Sequence, residues 1–168
     1  DSYKLGGSSF NQVLNTIGNE APDVKNVAFV RNTFNTIQNL IKEDKIHSGH
    51  DVASGGLITT LLEMCFADNK LGAKIDLTSL SEIDSIKLLF SENAGIVFQG
   101  DLSIEKSLQD KNIEFFKIGE VINKGTVTIK NHEDIFNFDV SSVRDTWFTT
   151  SYLLDHKHTS NGVAKHRF

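Results

Sequence analysis

The 168 residues of this chain include one cysteine, one proline and one methionine. With Cys65 alone, no intrachain disulfide can form, which points to a reducing compartment and, for localisation, to the cytoplasm. Cys65 lies in the apolar stretch "LLEMCF", a setting for a buried, inert thiol rather than a nucleophile. No apolar run approaches the roughly 20 residues needed to cross a bilayer, and no signal-peptide pattern opens the chain, so no membrane partner is expected. Basic residues are outnumbered 17 to 22 by acidic ones, and the net charge of −5 argues against nucleic acid as a partner. There is no Gly-Lys pair and hence no Walker-type loop, and no G-x-S-x-G elbow. The chain opens on Asp1 and its only methionine is Met64, so it reads as a piece excised or processed from something longer.

What is present suits one ordinary globular domain: 39% hydrophobic residues, 23% charged residues and twelve phenylalanines to fill a core. Residues 1–22 form a Gly/Ser-rich lead-in, residues 1–157 one domain, and 158–168 a polar tail or linker. Val27, Val30, Phe34, Ile37 and Ile41 recur at helical spacing and predict one buried face of a long helix ending near Asp44 or Lys45. "KIHSGHDV" reads as a strand, "GGLITTLLEMCFADN" as a helix, "GAKIDL" as a strand, "IDSIKLLFSEN" as a helix and "AGIVFQGD" as an apolar strand. A polar helix in "SIEKSLQDKN" and strands in "EFFKIGEVI", "GTVTIK" and "DIFNFDV" follow. The last helix, "SSVRDTWFTTSYLLDH", places Val143, Trp147 and Leu154 on a common side. Helices and strands are mixed, and several late strands follow one another. The fold class is therefore α+β, a mixed β-sheet covered by helices.

The stretch richest in chemistry is "HDVASGGL", residues 50–57. Glycines permit a tight turn and close approach of the backbone to a ligand. The unpaired N–H groups of a first helical turn, with the helix dipole, favour an anion. Asp51 beside such a turn could hold Mg²⁺ that bridges to phosphate. The alternative is a plain connection in which Asp51 or Ser54 caps the helix. His47 and His50 have an odd spacing that turns them to opposite faces of a strand, so a shared metal is not expected. "LGGSS", residues 5–9, could also approach an anion, or could simply be flexible. Asp76, Glu82, Asp84 and Glu92 read as scattered, mostly solvated carboxylates.

Four stretches in order, "LGGSSFNQVLNTIGNEAPDV", "HDVASGGLITTLLEMCFADN", "LFSENAGIVFQ" and "VRDTWFTTSYLLDHK", resemble the large form of the phosphoribosylformylglycinamidine synthase family. The match is to the second carboxy-terminal domain of its aminoimidazole-ribonucleotide-synthetase-like halves, just ahead of a glutaminase domain. The "WFTTSY" helix separates this family from relatives such as selenophosphate synthetase and thiamine-monophosphate kinase.

The resemblance implies an ATP-dependent ligase of purine biosynthesis that converts formylglycinamide ribonucleotide to its amidine with glutamine-derived ammonia. It implies Mg²⁺ and ATP or ADP as cofactors, Asp51 as metal ligand, and Ala53, Ser54, Gly55 and Gly56 as nucleotide- or phosphate-binding positions. The partners are the other domains of the same polypeptide, the glutaminase domain included. No catalytic residue falls in this chain, so alone it would be inactive. The family pattern H-D-x-S-D-G-G-L is departed from at Ala53 and Ser54, which removes one serine contact. Alternatives are a purely structural packing module of that enzyme, and a small-molecule kinase of the same superfamily.

Overall fold

A computed structural model describes residues 3–160 and 162–167. Asp1 and Ser2 of the lead-in, and Asn161 and Phe168 of the tail, lie outside the described residues. In chain order the elements are α1 (Ser9–Val13), α2 (Val27–Lys42), β1 (Ile46–Asp51), α3 (Gly56–Glu63), β2 (Gly72–Asp76), α4 (Ser85–Phe90) and β3 (Ile96–Gly100). Then come α5 (Ser103–Asp110), β4 (Gly119–Ile122), β5 (Thr126–Asn131), β6 (Asp134–Asp139), α6 (Val140–His158) and α7 (Val163–Arg167).

Alternation in β5 sets the centre of the fold. Its Val127 and Ile129 are fully buried while Thr126 and Thr128 are half-buried, the period-two pattern of a strand with one face on a core. β5 lies inside a four-stranded sheet of order β4-β2-β5-β6, parallel to β2 and antiparallel to β6. The main core forms where Ile58 and Leu61 of α3 and Leu88 and Leu89 of α4 cover this face, joined by Leu77 and Val140. β1 and β3 form a separate antiparallel ribbon, with His50 opposite Val97 and Asp51 opposite Ile96. A second core gathers Ile37 and Leu40 of α2 with Ile104 and Leu108 of α5 and Ile113. The expected α+β class with a mixed sheet is what the chain adopts; the split into a sheet and a ribbon is additional.

The helical stripe in α2 is corrected. Its buried positions are Thr36, Ile37 and Leu40, whereas Val27, Val30, Phe34 and Ile41 are 70, 41, 56 and 49% exposed. Periodicity identifies the helix, but Thr36, Ile37 and Leu40 make up the inward face, and most of the apolar stripe faces outward. α6 repeats the pattern, with only Val140 buried and Trp147 and Leu154 exposed. The residues after Lys157, patternless in sequence, include α7, whose Ala164 is buried and whose Arg167 pairs with Asp155 at 3.0 Å.

Side-chain caps start the helices where the backbone would otherwise leave N–H groups unpaired. Asn26 accepts from the Phe29 N–H, Asp84 from Ile86 and Lys87, and Asp139 from Ser142 at 2.8 Å. Asp139→Ala is expected to lower stability by about 1 kcal/mol, the usual worth of an N-cap. A shift of the urea midpoint at unchanged slope would register it.

Candidate functional site: the turn from β1 to α3

β1 delivers His50 and Asp51 to the end of the ribbon, and the chain then turns through Val52, Ala53, Ser54 and Gly55 into α3. The Val52 N–H donates to the Gly95 carbonyl at 2.8 Å, which fastens the outgoing chain to the segment preceding β3. Gly55 and Gly56 both have positive φ, 90° and 75°. Gly55 is the N-cap of α3 and no side chain caps this helix, so neither Asp51 nor Ser54 plays the capping role open to it in sequence. Gly56 is buried directly against the last turn of α4: a Cβ there would lie 2.6 Å from the Leu89 carbonyl oxygen and 2.8 Å from Phe90 backbone carbons.

A carboxylate already occupies part of this helix start. Glu92 Oε1 accepts from the Gly55 N–H at 2.9 Å and from the Ser9 N–H at 2.8 Å. The Gly/Ser loop "LGGSS" and the turn 50–56, separate in sequence, thus meet on one side chain. Burial pushes the Glu92 carboxyl up, but the N–H groups of Ser9 and Gly55, with the Ser9 hydroxyl, outweigh it and hold the group below the usual glutamate range. Among four carboxylates expected to be mostly solvated, Glu92 is half-buried and joins two loops. Its position directly after the apolar helix "IKLLF" was the available signal. Of the other three carboxylates of that set, Asp76 and Asp84 are exposed and Glu82 is half-buried, and each accepts from a backbone N–H: Asp76 from Thr78, Glu82 from Asp84, and Asp84 as the α4 cap.

The Gly56 N–H donates to the Ala53 carbonyl at 3.0 Å. Among the described residues no hydrogen bond uses the N–H of Ala53 or Ser54, and both residues are exposed. Two of the four expected phosphate-binding positions therefore offer free donors, and the other two have N–H groups already engaged.

Asp51 is the most open acid of the turn, with its side chain 77% exposed. Its carbonyl is held from two sides, by His50 Nδ1 at 2.6 Å and by the buried Thr60 hydroxyl, which donates at 3.1 Å. His50 Nε2 contacts Glu63 Oε2 at 2.8 Å, and Glu63 Oε1 accepts from Trp147 Nε1 at 2.7 Å. His47, by contrast, faces Asp101 at 3.1 Å, so the two histidines have different partners. Among the described residues no group of three His, Cys, Asp or Glu side chains is placed to hold a metal ion. A single open carboxylate next to free backbone N–H groups suits Mg²⁺, which is usually held by one or two carboxylates plus phosphate oxygens and water. It does not suit a metal caged by protein alone. Cys65 lies apart, half-buried, and burial pushes its thiol up, away from the reactive thiolate.

Comparison with known proteins adds the following. The family described as AIR synthase related protein, C-terminal domain, matches residues 2–131. A probable phosphoribosylformylglycinamidine synthase, chloroplastic/mitochondrial, from Arabidopsis thaliana is 37% identical over 161 residues, covering 90% of this chain and 11% of that protein. The phosphoribosylformylglycinamidine synthases of Dictyostelium discoideum and Homo sapiens are 36% and 30% identical, over 90% and 91% of this chain and 13% and 12% of theirs. The chain thus spans about an eighth of the length of these relatives. T. maritima PurL complexed with ATP has a similar fold, with a TM-score of 0.60 at 17% identity over 85% of this chain and 24% of that one. T. maritima PurL complexed with FGAR aligns with a TM-score of 0.57 at 19% identity, over 67% of this chain and 20% of that one. The resemblance read from the four sequence stretches agrees with the names of these relatives.

Proposed function

Because the chain belongs to the family of AIR synthase related protein C-terminal domains, we propose that it is one domain of a phosphoribosylformylglycinamidine synthase and contributes half of a Mg²⁺–nucleotide site. In this reading the whole polypeptide is the ATP-dependent ligase that makes formylglycinamidine ribonucleotide with glutamine-derived ammonia. It acts in purine biosynthesis, in the cytoplasm, and its catalytic residues and glutaminase lie in other domains. The observation that carries the site is the pairing of one open carboxylate, Asp51, with the unpaired N–H groups of Ala53 and Ser54. Asp51 would hold Mg²⁺, the two N–H groups would receive phosphate oxygens, and Gly55 and Gly56 would shape the turn. Bound Mg²⁺ would supply charge neutralisation to those phosphates. The open apolar positions on α2 and α6 support packing against the other domains, because large exposed apolar patches mark interaction surfaces.

A second reading, a packing module with no ligand, draws on Glu92, which already fills the anion position at Gly55. Calorimetry of the full-length polypeptide with ADP and Mg²⁺ separates the two. Asp51→Ala is expected to weaken binding by about tenfold to a hundredfold, the equivalent of a charged contact of about 1.5–3 kcal/mol. Unchanged nucleotide content and affinity would leave only the packing module. The 168-residue chain alone is expected to bind weakly or undetectably, since half of a shared site is missing; tight binding by it would contradict a shared site.

A further inference from the structure

The "WFTTSY" helix distinguishes this chain in sequence, yet nothing above gives it a task. We propose that Glu63 is a positioning residue for the turn 50–56, anchored by Trp147 of that helix and acting through His50. The inference rests on the reading of Asp51 as a Mg²⁺–nucleotide ligand.

The contacts form one continuous path. Trp147 Nε1 donates to Glu63 Oε1 at 2.7 Å across 84 positions of sequence, and the other oxygen of the same carboxylate meets His50 Nε2 at 2.8 Å. His50 Nδ1 in turn reaches the Asp51 carbonyl at 2.6 Å. Both oxygens of Glu63 and both nitrogens of His50 are used. His50 Nδ1 also lies 3.5 Å from Asp51 Oδ1, and the Asp51 side chain stays 77% exposed.

α6 is not held there by burial of the indole, which is 49% exposed, and its one buried residue is Val140. It is held at its polar edge instead. Arg144 Nε donates to the Phe66 carbonyl at 3.2 Å, just past the end of α3, and the Phe66 and Trp147 rings lie 5.7 Å apart. These contacts fix Trp147 over the last residue of α3, which is Glu63. Groups that orient a metal-binding residue without touching the metal commonly set affinity by about 10–100-fold. The Trp147–Glu63–His50 path has that relation to Asp51.

The test is ADP binding by calorimetry across a series of Mg²⁺ concentrations, on the full-length polypeptide, with thermal unfolding of each variant alongside. Glu63→Ala and Trp147→Phe are each expected to raise the Mg²⁺ concentration for half-maximal ADP binding by about tenfold or more. ADP affinity at saturating Mg²⁺ should stay that of the parent. Glu63→Gln keeps one acceptor oxygen and should fall between. If Glu63→Ala does not fold, Trp147→Phe decides, because it keeps an aromatic ring at this half-exposed position while removing the Nε1 donor. A loss of affinity equal at every Mg²⁺ concentration would mean general loosening and would overturn the proposal. So would an unshifted Mg²⁺ midpoint in both variants while Asp51→Ala shifts it. A midpoint that Asp51→Ala also leaves unmoved would sink the ligand reading itself, and the positioning role with it.

Discussion

Gly56→Ala is expected to destabilise the fold by roughly 2–5 kcal/mol, from left-handed strain of about 1–2 kcal/mol and overpacking of about 1–3 kcal/mol. At a φ of 75° an alanine is strained even in open space. Here its Cβ would also lie 2.6 Å from the Leu89 carbonyl oxygen and 2.8 Å from Phe90 backbone carbons, and a backbone cannot rotate aside as a side chain can. Relief would require α3 to move away from α4, opening the core where Ile58 and Leu61 meet Leu88 and Leu89. Domains of this size are stable by only about 5–15 kcal/mol, so much of the margin would disappear. Gly7→Ala is the control: its φ is 76°, but nothing lies within 4 Å of the added methyl, so only the conformational cost of about 1–2 kcal/mol applies. Urea midpoints of the two variants should differ accordingly, and equal midpoints would refute the close-approach argument. The same close approach also serves the site. It draws the start of α3 to the end of α4 and so brings Glu92 opposite the Gly55 N–H.

The turn itself was legible because its chemistry is local. A histidine and an aspartate ending a strand, followed by two glycines and an apolar helical run, predict strand, tight turn and helix from nearest neighbours alone. The β5 strand was legible for the same reason, since Val127 and Ile129 alternate with threonines. Two kinds of information were not. The inward face of α2 could not be read from hydrophobicity, because the exposed side carries Val27, Val30, Phe34 and Ile41 while Thr36 is buried. A stripe that serves some surface beyond this chain cannot be told by period from one that serves its own core.

Long-range polar pairs are the other gap. Glu92 reaches Ser9 across 83 positions and Gly55 across 37, and Trp147 reaches Glu63 across 84. No spacing rule within one element covers such contacts, so Glu92 read as one solvated acid among several. Element ends were legible only to within a turn. α3 stops at Glu63 rather than running on toward Asn69, and β4 keeps only Gly119–Ile122 of the longer apolar stretch before it. α2 stops at Lys42, just ahead of Asp44, whose φ of 59° breaks the helical path.

Glu92→Ala should produce the second large effect, about 2–4 kcal/mol of lost stability: two hydrogen bonds to a charged group, each contributing about 1.5–3 kcal/mol, are removed, and water that reaches the part-buried N–H groups offsets a share of their sum. The loss should appear locally as well: without the carboxylate, the Gly/Ser loop at Ser9 and the turn at Gly55 no longer share a partner, and amide exchange should quicken in both. Glu92→Gln separates acceptor from charge. Its amide oxygen can still accept from the two N–H groups, so it should retain a large share of the stability. The pH dependence then gives a sign that a packing effect would not. The folded Glu92 carboxyl lies below its ordinary value because the Ser9 and Gly55 N–H groups outweigh the effect of burial. Its contribution is therefore complete above the unfolded glutamate value of about 4.3, and is lost as pH falls through the lower folded value. Asp76, also held low by the Thr78 hydroxyl and N–H and by Lys130, adds acid sensitivity of the same sign. It is common to parent and variant and cancels in the difference. The gap in stability between parent and Glu92→Gln should thus be constant near neutrality and shrink as pH falls below about 4.3 and through the lower folded value. Parallel curves through that window would show that the Glu92 charge contributes nothing to joining the two loops.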